Sequence, residues 1–94
     1  SSHTINVEIE VETIEEVETA LLAGAQIIML DNMDIKTMSD AVKLIDGKAV
    51  VEASGGINLS TVRAVAETGV DLISVGSLTH SVQGLDISLD ILKE

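Results

Sequence analysis

The 94 residues contain no phenylalanine, tyrosine, tryptophan, proline or cysteine. Without cysteine there is no thiol nucleophile, thiolate metal site or disulfide. Its absence says little about redox compartment, because a cytosolic protein can do without the residue. Without aromatic rings, the core has to be filled by Val, Ile, Leu, Ala and three Met. A domain this small buries only about 65% of its unfolded surface, against an ordering cost of about 1.5 kcal/mol per residue. Surface lent by a partner would therefore help it to a useful stability. Basic residues are also scarce: five Lys and Arg stand against 16 Asp and Glu, for a net charge of -11 at pH 7, and Arg63 is the sole guanidinium. That balance argues against duplex DNA or RNA as a partner. No apolar run approaches the roughly 20 residues that span a bilayer. The start Ser1-Ser2-His3-Thr4-Ile5-Asn6 has neither the charged nor the apolar region of a signal peptide. The expectation is a soluble cytoplasmic domain with no nucleic-acid and no membrane partner.

What is present is a 46% hydrophobic chain with alternating strand and helix patterns. Residues 5–11 alternate with period two, setting Val7, Ile9 and Val11 on one face and Glu8, Glu10 and Glu12 on the other. Thr13-Ile14-Glu15-Glu16 reads as a capping box opening a helix with the stripe Ile14, Val17, Leu21 and Leu22, ended by Gly24. A second strand, 26–30, is nearly all apolar, as for a strand covered on both faces, and runs into Asp31-Asn32. Asp34 caps a helix with Ile35, Met38, Val42 and Ile45 on its apolar side, closed by Gly47. The third strand, 49–53, ends in Ser54-Gly55-Gly56, and Asn58 caps a helix bearing Leu59, Val62, Val65 and Ala66, stopped by Gly69. A fourth strand, 71–75, leads to a tight turn at Gly76-Ser77, a short helical turn at 78–81 and a final helix marked by Leu85, Leu89 and Leu92. The fold expected is α/β, with four consecutive βα units and parallel strands joined by right-handed crossovers. Four units are half of a TIM-like (βα)8 barrel, which needs about 250 residues, or an open four-stranded sheet with helices on one or both faces.

Chemistry concentrates at the carboxyl ends of these strands, where parallel α/β folds place their sites. The Glu8, Glu10 and Glu12 face is either solvated or looks into a lumen, where Mg or basic groups would have to compensate it. Asp31 can accept hydrogen bonds or bind a cation or a ribose hydroxyl, and Asn32 both donates and accepts; an Asx turn with a helix cap is the bland alternative. Ser54-Gly55-Gly56 and Gly76-Ser77 let backbone amides approach an anion without Lys or Arg, matching the phosphate site after the last two strands of a complete barrel. His80, between Thr79 and Ser81, can orient phosphate oxygens or make a local structural bond. His3 reads as terminal and exposed, Arg63 as a surface residue, and Met29, Met33 and Met38 as packing. No Ser-His-acid triad assembles, and the glycine spacing is not a dinucleotide fingerprint.

The segments His3-Thr4-Ile5, Glu8 to Glu12, Leu30-Asp31-Asn32, Glu52 to Asn58, Glu67 to Asp71, Ile73 to Ser81 and Leu85-Asp86-Ile87 together resemble the carboxylating nicotinate-nucleotide pyrophosphorylases, also called quinolinate phosphoribosyltransferases. They resemble the C-terminal barrel portion and span nearly all of the chain, about a third of a full family member. The resemblance implies that residues 1–94 are a single C-terminal half-barrel segment of a larger, homo-oligomeric enzyme. That enzyme transfers ribosyl 5-phosphate from phosphoribosyl pyrophosphate to quinolinate, with Mg as cofactor and loss of pyrophosphate and carbon dioxide. It further implies Glu10 and Asp31 near the ribose hydroxyls and Mg-pyrophosphate, as catalytic and metal-binding residues. Ser54, Gly55, Gly56, Gly76 and His80 would line the 5′-phosphate pocket, Asn32 would belong to the same local motif, and Glu8 and Glu12 would tune the acidic side. Quinolinate is a dicarboxylate and needs basic partners, which in this family lie upstream or come from a neighbouring subunit. The chain alone is therefore expected to be inactive without the missing barrel half and N-terminal domain. Two alternatives remain: a phosphoribosyltransferase-like protein of the molybdenum-transport group with another substrate, and a non-catalytic excised or designed half-barrel.

Overall fold

The computed structural model describes residues 7–76 and 78–82. In chain order they form β1 (Glu8–Val11), α1 (Ile14–Leu22), β2 (Ile27–Asp31), α2 (Ile35–Ile45), β3 (Val50–Ser54), α3 (Val62–Glu67), β4 (Leu72–Val75) and β5 (Leu78–Ser81). One sheet carries all five strands in the order β1-β2-β3-β4-β5. The first three pairings are parallel, and β4 pairs β5 antiparallel.

Local signals set most boundaries. Thr13 caps α1 by accepting the Glu16 N–H at 3.1 Å, and the Glu16 carboxylate reaches back to the N–H of Glu12 at 2.6 Å. The Glu16 return bond thus falls one residue ahead of the cap residue itself. Val17 and Ala20 are buried, whereas Leu22, expected on the apolar stripe, is 90% exposed. At about 100° per residue, Leu22 lies roughly 200° around the axis from Ala20, on the far side of the helix. Asp34 caps α2 through the Thr37 N–H at 2.8 Å, and Asp46 closes it in the left-handed conformation. Asn58 does not cap α3 directly. Its side chain accepts from Ser60 N and Oγ, building a turn over 59–61, and its carbonyl accepts the Val62 N–H at 2.9 Å. Leu59 lies in that turn, ahead of the helix, and is 51% exposed rather than part of an apolar stripe.

The expected helical turn over 78–81 is instead a strand, and this corrects the count of four βα units. Val75 pairs with Leu78, Ser74 with Thr79, Ile73 with His80 and Leu72 with Ser81. The physical reason is the two-residue loop between Val75 and Leu78. Gly76, at its first position, has φ +62°, the positive φ that primed hairpin turns require. The helix expected around Leu85, Leu89 and Leu92 lies outside the described residues.

The register separates two faces. Val11, Leu30, Ala53 and Ile73 lie in one row, with Ile28 and Val51 below, and all are buried. They share one core with Val17 and Ala20 of α1, Met38, Ala41 and Ile45 of α2, and Val62 and Val65 of α3. α1 packs on α2 and α2 on α3, so a single helix layer covers this face, as right-handed crossovers between strands laid down in sequential order require. The other face carries Glu8 and Glu10, Ile27, Met29 and Asp31, Glu52 and Ser54, and Ser74. Ile27 and Met29 are half-buried, and among the described residues no helix covers them, despite the apolar run of β2. Among the described residues, five strands and three helices thus make a mixed sheet of partial βα-barrel type.

Candidate functional site at the strand ends

β2 and β3 end together. Asp31 stands opposite Ser54 in the register, and the next N–H, that of Asn32, donates to the Ser54 carbonyl at 3.1 Å. Asn32 then leaves the strand with φ +57°, a left-handed conformation that Asn tolerates better than most residues. This wraps the two polar side chains over the start of the glycine turn. Gly55 has φ +86°, and a Cβ on it would lie 2.5 Å from Asp31 Oδ1, 2.6 Å from Asn32 Oδ1 and 2.9 Å from the Asn32 nitrogen. No side chain fits there, so the glycine is demanded by space as well as by backbone conformation. Gly56 follows with φ +71° and sits farther out, its Cβ position 4.0 Å from Asn32 Oδ1. Asp31, Asn32, Ser54, Gly55 and Gly56 therefore form one interlocked group.

The remaining expected residues are arranged less tightly. Gly76 lies at the β4–β5 turn, exposed, with open space where a Cβ would be. Glu10 shares the helix-free face with Asp31 but stands opposite Met29, one row nearer the strand starts, and is exposed. His80 stands opposite Ile73, so strand alternation puts it on the helix-covered side, opposite in sense to Asp31 and Ser54. Among the described residues no group of three or more His, Cys, Asp or Glu could by itself hold a metal ion. Glu10 and Asp31 offer separate carboxylates rather than a closed cage.

Sequence reasoning passed over Glu52 as an individual site. It is the buried charged side chain of the described residues, 8% exposed. Ser74 Oγ donates to its Oε2 at 2.5 Å, and Ser74 Oγ lies 3.0 Å from Thr79 Oγ1. The signal was a lone carboxylate within the otherwise apolar strand Ala49 to Ala53. Asp71, by contrast, acts at the opposite end of the sheet, where its carboxylate accepts the Val51 N–H at 2.9 Å and splices β3 to the start of β4.

A sheet in sequential order with helices on one side defines a fold of partial βα-barrel type, and the polar turns at its carboxyl strand ends are the candidate site. The chain belongs to the family described as quinolinate phosphoribosyl transferase, C-terminal domain, which matches residues 1–90. It is 46% identical over 102 residues to a mitochondrial quinolinate phosphoribosyltransferase (decarboxylating) of Nicotiana glauca, covering 93% of this chain and 29% of the relative. It is 44% identical to the chloroplastic nicotinate-nucleotide pyrophosphorylase (carboxylating) of Arabidopsis thaliana, with the same coverage of 93% and 29%. The crystal structure of the nicotinate-nucleotide pyrophosphorylase from Ehrlichia chaffeensis superposes with a TM-score of 0.74 at 41% identity, covering 78% of this chain and 27% of that one. The chain thus spans about a third of the length of the proteins it matches.

Proposed function

We propose that this chain supplies the phosphate and Mg-pyrophosphate side of a phosphoribosyltransferase that joins phosphoribosyl pyrophosphate to quinolinate, giving nicotinate mononucleotide, pyrophosphate and carbon dioxide in NAD biosynthesis. The observation that carries this reading is the interlock of Asp31 and Asn32 with Gly55. It sets a carboxylate and an amide, both suited to ribose hydroxyls, directly beside a glycine turn suited to an anion.

In this reading the backbone of Ser54, Gly55, Gly56 and Gly76 holds the 5′-phosphate remote from the reacting carbon, and binding energy there orients the ribose; His80, on the other side of the sheet, is left out of it. Asp31 and Glu10 face the ribose, where their negative charge favours the electron-poor centre that develops as pyrophosphate departs. Asn32, whose N–H donates to the Ser54 carbonyl, ties the Asp31 strand end to the glycine turn. Mg suits the donor set, because it takes hard oxygen ligands and is commonly held by one or two carboxylates plus substrate phosphates. Glu10 and Asp31 would hold it, and when bound it neutralises charge on the leaving pyrophosphate. The basic groups that a dicarboxylate needs would come from the upstream barrel half, the N-terminal domain or a second subunit. The chain alone is then inactive.

Isothermal titration with phosphoribosyl pyrophosphate and Mg tests the reading. It is run on the chain alone and on the chain joined to the upstream portion of the Ehrlichia chaffeensis enzyme. Turnover of quinolinate by the joined protein alone supports a composite site. Binding of phosphoribosyl pyrophosphate without turnover of quinolinate would point to another acceptor, as in the molybdenum-transport group. No phosphate binding at millimolar concentration in either form would leave a non-catalytic half-barrel.

A further inference from the structure

Glu52 has no evident structural reason to be a carboxylate. It lies on β3 with buried neighbours Val51 and Ala53, is itself buried, and among the described residues pairs with no cation. The ion pair of the described residues, Lys36 with Asp40, lies on the exposed side of α2. A buried, unpaired charge is unfavourable unless hydrogen bonds compensate it. The compensation here comes from the β4–β5 hairpin. Ser74 Oγ donates to Glu52 Oε2 at 2.5 Å, which commits the hydroxyl's single proton. The 3.0 Å contact between Ser74 and Thr79 must then be donated by Thr79. Thr79, Ser74 and Glu52 form a one-way chain of donors ending on the carboxylate.

The placement of that chain gives it a consequence. Ser74 and Thr79 are a cross-strand pair of the hairpin whose loop begins at Gly76. Glu52 lies two residues before Ser54, on the same face of β3 and one row beneath the Ser54-Gly55-Gly56 turn. The chain therefore ties one glycine turn to the other across the β3–β4 seam, where the parallel register runs only over Glu52 with Leu72 and Ala53 with Ile73.

We propose that Glu52 is a positioning residue, its carboxylate acting through Ser74 and Thr79 to hold the Gly76 turn in register with Ser54-Gly55-Gly56 and so to set the affinity of the paired turns for a phosphate monoester. The proposal rests on the phosphate-site reading above and adds to it the group that fixes the spacing of the site's two halves. Because the bond is accepted and not donated by Glu52, a neutral amide oxygen can replace the carboxylate. The hydroxyl of Ser74 has no such substitute in alanine.

The test uses the 94-residue chain with Glu52→Gln, Glu52→Ala, Ser74→Ala and the double variant Glu52→Ala/Ser74→Ala. Inorganic phosphate is titrated calorimetrically at a temperature where circular dichroism shows each protein folded. Amide exchange at Val75, Gly76 and Leu78 is followed without ligand. The expected result is a loss of phosphate affinity of about tenfold or more in Glu52→Ala and Ser74→Ala, with faster exchange at the hairpin. The double variant should be no worse than the poorer single, because the groups act in series. Glu52→Gln should retain affinity and slow exchange. Unchanged affinity and exchange in the folded alanine variants would overturn the proposal, as would additive losses. Altered exchange with no phosphate binding by the unsubstituted chain would retain the hairpin tether but overturn both the phosphate-site reading and the affinity role resting on it.

Discussion

Gly55 is where the account is most exposed at the level of single residues. Its φ of +86° disfavours any side chain, and the space a Cβ needs is held by Asp31, Asn32 and the Asn32 backbone nitrogen. Gly55→Ala is expected to destabilise the chain by about 1–3 kcal/mol through backbone strain and to displace the Asp31-Asn32 pair; thermal melts and phosphate titration read the two effects separately. Asp34 makes a second prediction. The Thr37 backbone N–H, followed by the Thr37 side chain, lowers its pKa below the ordinary 3.8. A carboxyl whose pKa is depressed on folding contributes stability above its unfolded pKa and loses it as pH falls through the folded one. The melting temperature should therefore drop on acidification through and below pH 3.8, and Asp34→Asn, a cap that does not titrate, should remove that component of the drop. Asp34 was readable as a cap because cap chemistry is local. Glu52 was not singled out, because its burial and its bond to Ser74 depend on a residue 22 positions away.

Among the elements, the four parallel strands and the starts of α1 and α2 were legible, for physical reasons. Thr13 and Glu16 declare the start of α1, and Thr13→Ala is expected to cost about 1 kcal/mol by removing the bond to the Glu16 N–H. Leu22→Glu, on the outward side of the same helix, should change stability by no more than about 0.5 kcal/mol, which denaturant titration resolves. Hydropathy put both leucines of Leu21-Leu22 on the stripe, but Leu22 lies roughly 200° around the axis from the buried Ala20, beyond the covered face. Residues 78–81 misled in the other direction. Four residues are too few for periodicity to separate a helical turn from a strand, and the deciding feature was the positive φ at Gly76, which closes a hairpin. The Asn58 turn illustrates the same limit: the residue was read as helix-capping, but Ser60 intercepts its side chain before α3 begins.

For the whole molecule, the sequential strand order gives one covered and one uncovered face, and the uncovered face carries Glu8, Glu10, Asp31 and Glu52. Four of the 16 acidic residues are thereby gathered on one face. The barrel alternative was legible from the short connections and the repeating strand and helix pattern; which face the carboxylates share was not, since it depends on register. Among the described residues no helix is long and apolar enough to cross a membrane. The central claim is that the strand ends at Asp31-Asn32, Ser54-Gly55-Gly56 and Gly76 bind phosphoribosyl pyrophosphate as half of a composite site. The most direct measurement is calorimetric titration of phosphoribosyl pyrophosphate with Mg into the chain joined to an upstream barrel half, beside the same protein carrying Gly55→Ala. Saturable binding that falls at least tenfold in the folded variant is the expected result; equal binding by both proteins, or none by either, would contradict the claim.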